Sequence, residues 1–295
     1  MQAYICDYTD FMKNTCHKSA NTVESYTRDI SQYISYLSDL GISELNKTNK
    51  TTVLSYMAVL RSRGRASSTM SRTLASIRSF YAFLVSIGKA ESDPTTSLQT
   101  PHVEKKPPMV LSGEEIDRLM EQPSLRDNKG IRDKAMLELL YATGIRVSEL
   151  IGLDIDDVNI NIGYIKCKNN KGERVIPLGA KAIDAMRLYL DKARGEMVVT
   201  AEERALFVNC NGSRISRQGF WKIIKQYRSS AGIEMEITPH TLRHSFAAHL
   251  IENGADLDSL KTMMGHADIS STQVYTAFAN DKIRDVYKKA HPRAV

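Results

Sequence analysis

Thr238-Pro239-His240-Thr241-Leu242-Arg243-His244, followed by Gly265-His266 and Val274-Tyr275, gathers histidines, arginine and tyrosine into one C-terminal segment. Thr238 reads as a helix N-cap and Pro239 as the first helical residue. His240 and Arg243, three apart, then share a face of that helix. Asn253-Gly254 ends it. A second helix is expected from about Asp256 to Gly265, which leaves His266 on the turn that follows. Ser270-Ser271 then caps a short helix whose first turns carry Tyr275. Donors converging on one tyrosine suit phosphoryl transfer, because they neutralise the charge developing on a phosphate while the phenolic oxygen attacks it.

Each of these residues also has a plainer explanation. The chain has 13 tyrosines, and a helical tyrosine is most often core or interface. His240 at a helix start can be a capping or packing histidine, His266 can close a turn, and Arg243 can pair with a carboxylate. His240, His244, His249 and His266 could also hold zinc, but no CxxC or HExxH spacing supports that. Cys6, Cys16, Cys167 and Cys210 are scattered.

A second element upstream changes the balance. Ala142-Thr143-Gly144-Ile145-Arg146-Val147-Ser148-Glu149-Leu150 follows an apolar helix, Ala135 to Tyr141. Gly144 ends that helix, Arg146 sits at the turn, and Ser148 to Leu150 open the next. Together, Thr-Gly-Ile-Arg-Val-Ser-Glu-Leu, His-Thr-Leu-Arg-His-Ser-Phe-Ala-Ala-His-Leu, Met-Gly-His and Val-Tyr resemble the motifs of the tyrosine recombinases. The bacterial Xer type, which resolves chromosome dimers, is the nearest likeness. The likeness runs on through Leu206-Phe207-Val208, Arg217-Gln218-Gly219-Phe220-Trp221 and His291-Pro292-Arg293-Ala294, and so spans essentially the whole chain.

The resemblance implies six catalytic residues: Arg146, Lys168, His240, Arg243, His266 and the nucleophile Tyr275. It implies double-stranded DNA as substrate and a 3′-phosphotyrosyl intermediate that conserves bond energy, with no cofactor and no metal. It further implies a tetramer on two duplexes, of one protein or of paired related recombinases, with a septal DNA translocase as a further partner. A helix from about Asp281, with Ile283, Val286, Tyr287 and Ala290 on one stripe, would pass to a neighbouring protomer or fold back on its own domain. An integrase of a phage or mobile element, a type IB topoisomerase and an inert DNA-binding protein on the same fold are the alternatives.

The residue types fit that chemistry on their own terms. Two guanidiniums, Arg146 and Arg243, present planar forks of donors to the non-bridging oxygens of a phosphate. His240 can take the phenol proton or donate to the phosphate, and His266 is a further donor. A lysine on a hairpin suits protonation of the leaving 5′ oxygen. Tyrosine recombinases carry it in a Gly-Lys-Gly-like stretch, which here reads Cys167-Lys168-Asn169 without either glycine. Lys168 is the first choice and Lys171 the alternative. Lys166 is expected to face away from the turn's reach and to be solvated.

Lys+Arg 40 against Asp+Glu 34 gives +6 and a pI near 9.0, compatible with nucleic acid. Residues 1–106 hold 13 basic and 9 acidic side chains, the larger share of the excess. DNA contacts are expected from Arg72 and Arg78, on a helix opened by Ser67-Ser68-Thr69. Arg214, Arg217 and Gln218, before and at the start of the helix carrying Trp221, are expected to contact DNA too. No apolar run reaches the length of a membrane span, no signal peptide is visible, and unpatterned cysteines fit a reducing cytoplasm.

The fold class expected is mainly α. A four-helix N-terminal domain, SAM-like by the resemblance, covers residues 1–100 with helices near Ala3–Asn14, Thr22–Leu40, Thr51–Arg61 and Ser67–Ser86. The Pro/Lys stretch over 101–110 is a linker. A catalytic domain over 111–295 opens on the capping box Ser112/Glu115. It contains one small antiparallel sheet (Val158–Ile160, Tyr164–Lys168, Glu173–Leu178) and is otherwise helical.

Overall fold

The computed structural model describes residues 1–100, 108–169 and 172–265. The chain separates into two compact units, Met1–Lys106 and Pro107–Val295. The stretch read as linker falls largely outside the described residues. So do Lys171, His266, Tyr275 and the tail.

The first unit is a bundle of four helices. α1 (Ala3–Asp10) runs into a π turn, Phe11–Thr15, and α2 spans Ala20–Asp39 behind an N-cap at Ser19. α3 (Lys50–Ser62) opens on a capping box of Asn49 and Thr52, and α4 covers Ser67–Ser86. Each helix turns an apolar stripe inward. Val23, Ile30, Tyr33, Ile34 and Leu37 of α2 meet Met70, Leu74, Ile77, Phe80, Tyr81 and Leu84 of α4 in one core. On α3 Leu54 is exposed, and Tyr56 takes the inward place, its ring 5.2 Å from that of Tyr33.

The second unit is organised around α6. α5 (Gly113–Met120) carries the Ser112/Glu115 capping box, and α6 spans Asn128–Thr143 behind Asp127. α6 is buried along most of its length, its Ile131, Met136, Leu139 and Leu140 lying in the main core. α7 (Val147–Gly152) leads through a 3-10 turn at Ile155–Asp157 into the sheet. β1 (Val158–Asn159), β2 (Tyr164–Asn169) and β3 (Gly172–Pro177) pair antiparallel in chain order, with Cys167 opposite Arg174 and Lys168 opposite Glu173. α8 (Ala180–Leu188) continues through a π turn, Tyr189–Arg194, into the short α9 (Gly195–Met197). The next stretch is not helical, contrary to expectation. It is held instead by isolated bridges, Asp154 with Ala205 and Val208 with Arg214, that bury Leu206, Phe207 and Val208. α10 (Arg217–Ser230), α11 (Pro239–Glu252) and α12 (Leu257–Met264) complete the described residues.

Candidate active site

Two glycines set the backbone of the site. α6 ends at Gly144, whose φ of 57° is left-handed, a conformation a Cβ opposes. The same residue lies against the ring of Phe246 from α11, where an added Cβ would collide. α6 and α11 thus approach closely where the chain turns towards Arg146. α12 ends likewise at Gly265, φ 61°, which directly precedes His266.

Arg146 is the N-cap of α7. Its backbone N–H donates to Glu149 Oε2 at 2.8 Å, its Nη1 to Glu149 Oε1 at 3.2 Å, and its Nη2 to the Gly265 carbonyl at 3.0 Å. Arg243 lies on α11, which Thr238 and Thr241 start with a capping box and Pro239 at the first turn. Its side chain is buried and donates to the carbonyls of Gly144 and, at 2.7 Å, Met264. The two arginines therefore converge on consecutive carbonyls at the end of α12. His240, one turn earlier on α11, keeps part of its surface open to solvent while its ring packs among neighbouring groups. Its partial burial, together with the charges of Arg217, Arg243 and Arg146, holds its pKa below the usual histidine value. The neutral imidazole is favoured there, ready to accept a proton.

Two residues of this site escape sequence reasoning: Glu149, whose motif reveals no role for it, and Arg174. Arg174 of β3 donates both Nη atoms to the two Glu149 oxygens at 2.8 Å and its Nε to the Met263 carbonyl at 3.1 Å. Burial opposes ionisation of Glu149. The Arg174 fork, the Arg146 N–H and both positive charges outweigh it and hold the carboxyl below the usual range. Spacing of three from Arg146 along a helix start was the available signal for Glu149. Nothing local marks Arg174.

Lys168 donates its Nζ to Asp157 Oδ1 at 2.7 Å. The other Asp157 oxygen accepts the Asp154 N–H at 3.0 Å, so the carboxylate is fixed. That hydrogen bond and the charge of Asp157 raise the lysine's pKa. The expectation for Lys166 is corrected. Two residues apart on a strand, Lys166 and Lys168 share a face, while Ile165 and Cys167 turn into the core.

Arg217 and Gln218 open α10 beyond the Ser216 N-cap and are both exposed. With Val147, Trp221, Thr238, Pro239 and His240 they line a pocket of about 310 Å³. Lys225 stands 4.5 Å over the Trp221 ring. The other three arginines expected at DNA have partners within the protein. Arg214 reaches the carbonyls of Ile151 and Leu153 and the Asp154 carboxylate. Arg72 forms a fork on buried Asp29 at 3.0 and 2.9 Å, and Arg78 donates to the Leu98 carbonyl at 2.8 Å.

Several tyrosines can be set aside as nucleophiles. Tyr8, Tyr33, Tyr81 and Tyr189 are fully buried, and burial pushes Tyr8 and Tyr189 up to about 12. Tyr141 Oη is 2.8 Å from His249 Nδ1.

Two converging arginines, a histidine whose proton is disfavoured and a lysine-bearing hairpin are the candidate groups of this site. Residues 109–282 match the phage integrase family, and residues 5–88 match the phage integrase N-terminal SAM-like domain. The chain belongs to the phage integrase family and is a site-specific recombinase of the tyrosine type. The tyrosine recombinase XerD of Halalkalibacterium halodurans is 46% identical over 97% of either chain. That of Staphylococcus epidermidis is 44% identical over 100% of both. The crystal structure of XerA recombinase is similar with a TM-score of 0.56, 25% identity and 99% of each chain covered. XerH recombinase bound to a palindromic difH substrate, in a post-cleavage complex, shares the fold at a TM-score of 0.77. Its identity is 20%, over 95% of this chain and 84% of that one.

Proposed function

We propose that the protein cuts and rejoins duplex DNA at a specific site to resolve chromosome dimers, acting through Tyr275. The observation that carries this reading is the convergence of Arg146 and Arg243 on the carbonyls of Gly265 and Met264, directly ahead of His266. The phosphate would sit against both guanidiniums, which offset the charge of a five-coordinate transition state. Tyr275 Oη attacks phosphorus as the bond to the 5′ oxygen breaks. His240 takes the phenol proton, and Lys168 supplies one to the departing 5′ oxygen. The product is a 3′-phosphotyrosyl link and a free 5′ hydroxyl, and rejoining reverses each step. His266 adds a donor to the phosphate.

DNA is held by Arg217 and Gln218 beside His240, and by the surfaces around Arg72, Arg78 and Arg214. The working assembly is a tetramer on two duplexes, formed by this protein alone or with a related recombinase. A septal DNA translocase is a candidate partner, and the cytoplasm is the compartment. The domains are residues 1–100 and 111–295 with a linker between, and the C-terminal helix is exchanged between protomers. XerD names among the relatives support the role in chromosome resolution.

A duplex nicked so that the cleaved end is lost tests the chemistry. The protein is expected to form an SDS-stable adduct, and Tyr275→Phe to lose it while binding duplex within a few-fold. An adduct with Tyr275→Phe would move the nucleophile, with Tyr287 the next to examine. On the same duplex, Lys168→Ala should cleave about 10²–10⁴-fold more slowly. A 5′-bridging phosphorothiolate, whose leaving group needs no proton, should restore most of the rate. Rescue of Lys171→Ala in its place would assign the role to Lys171.

A further inference from the structure

Arg174 has no part in the reaction scheme, yet it grips the carboxylate that supports Arg146 and a carbonyl at the end of α12. It lies on β3 opposite Cys167, next to the register pair Lys168–Glu173 on the hairpin that carries the candidate general acid. Its side chain is 13% exposed, and the Glu149 side chain it grips is 7% exposed. The Met263 carbonyl it reaches belongs to the last turn of α12, where helix carbonyls lack internal partners and a cation is favoured. A Cβ on Gly265 would stand 2.9 Å from the guanidinium carbon, so the turn before His266 is moulded on this side chain.

The arrangement around Glu149 is unequal. Arg174 holds both carboxylate oxygens at 2.8 Å, whereas Arg146 reaches only one of them with its guanidinium, at 3.2 Å. A carboxylate this buried, left with Arg146 alone, would draw that guanidinium into the two-pronged pairing arginine prefers. Arg146 would then be neutralised and turned from the phosphate. We infer that Arg174 is a positioning residue: it holds both Glu149 oxygens, so that Arg146, whose guanidinium reaches that carboxylate at one oxygen only, keeps the greater part of its charge for the scissile phosphate. Through Met263 it fixes the turn leading to His266 to the same carboxylate. This rests on the reading of Arg146 as a phosphate donor.

The test is single-turnover cleavage of the nicked duplex by full-length Arg174→Ala, Arg174→Lys and Arg146→Ala. The scissile position is either an ordinary phosphate or an uncharged methylphosphonate. On phosphate, Arg174→Ala should lose about 10²-fold, the scale of a misplaced reacting group, with duplex binding within a few-fold. Arg174→Lys, which keeps the charge but not the fork, should fall between it and wild type. On methylphosphonate both alanine variants should recover at least tenfold relative to wild type, because the charge that Arg146 offsets is gone. Equal losses on the two substrates for Arg174→Ala, or wild-type cleavage of phosphate, would overturn the inference. If Arg174→Ala fails to fold, Arg174→Lys carries the same comparison. A substrate-independent loss in Arg146→Ala would instead place the fault with the reading of Arg146.

Discussion

His240 is partly withdrawn from water and faces three cations, and both disfavour its proton. Partial burial and the charges of Arg217, Arg243 and Arg146 all disfavour the imidazolium. In an NMR titration of the free protein its ring should titrate below about 6.5, the ordinary histidine value. Arg217→Ala should move that midpoint upward, since one of the opposing charges is gone. A folded-state pKa below the unfolded one means that the linked stability is complete above about 6.5 and is lost as pH falls through the lower folded value. A midpoint at or above 6.5, or one indifferent to Arg217, would contradict this account. At this scale the sequence made residue types and spacings legible: His240 and Arg243 share a helix face because they are three apart. It did not reveal depth, for Arg243 is buried and His240 is not. Nor did it show which acid lies across from which base. The partner of Arg72 is Asp29, on another helix, and that of Lys168 is Asp157, across a strand. Such pairings are set by tertiary packing, which no local window contains.

Among the elements, the elbow from α6 to α7 is the most constrained. Gly144→Ala would place an L side chain at φ 57° and drive its Cβ into Phe246. The left-handed conformation costs about 1–2 kcal/mol, and overpacking about 1–3 more. Thermal unfolding of the variant should begin lower, and adduct formation should fall further than duplex binding, because the displaced turn leads into Arg146. An unchanged melting temperature would show that the two helices have room to part. Helix starts were legible at the caps Ser112, Thr238 and Asp256, but not at Ser19, Asn49 or Asp127, whose side chains also cap. The non-helical stretch around Leu206, Phe207 and Val208 was not legible in the sequence. Its order comes from bridges to Asp154 and within its own loop, and neither leaves a periodic trace. On α3, Leu54 and Tyr56 are both apolar enough to face inward, and only the packing of Tyr33 and Tyr36 against Tyr56 separates them.

On the scale of the whole molecule, each unit has a core of its own, and the tail after Tyr275 is proposed to serve another copy. A chain ending after Asn280 should still bind one duplex but lose cooperative pairing and synapsis, measured by gel shift on a two-site duplex. Its melting temperature should hold, because a helix buried in trans leaves its own core intact. A collapse in melting temperature, or undiminished cooperativity, would favour docking in cis. The anchoring of Arg243 bears on how such assemblies can be dissected. Its guanidinium meets the carbonyl of Gly144, where α6 ends, and that of Met264, where α12 ends. Both are the negative poles of helices, and the arginine closes each of them. In the proposed scheme reagent and scaffold are thus one group. Removing it would fray two helix ends along with the phosphate contact, and whatever failed afterwards would have no single cause. A decoy that grips DNA in the native pose without cutting it has to be made at the hydroxyl of Tyr275, which carries no such second duty in the reaction scheme.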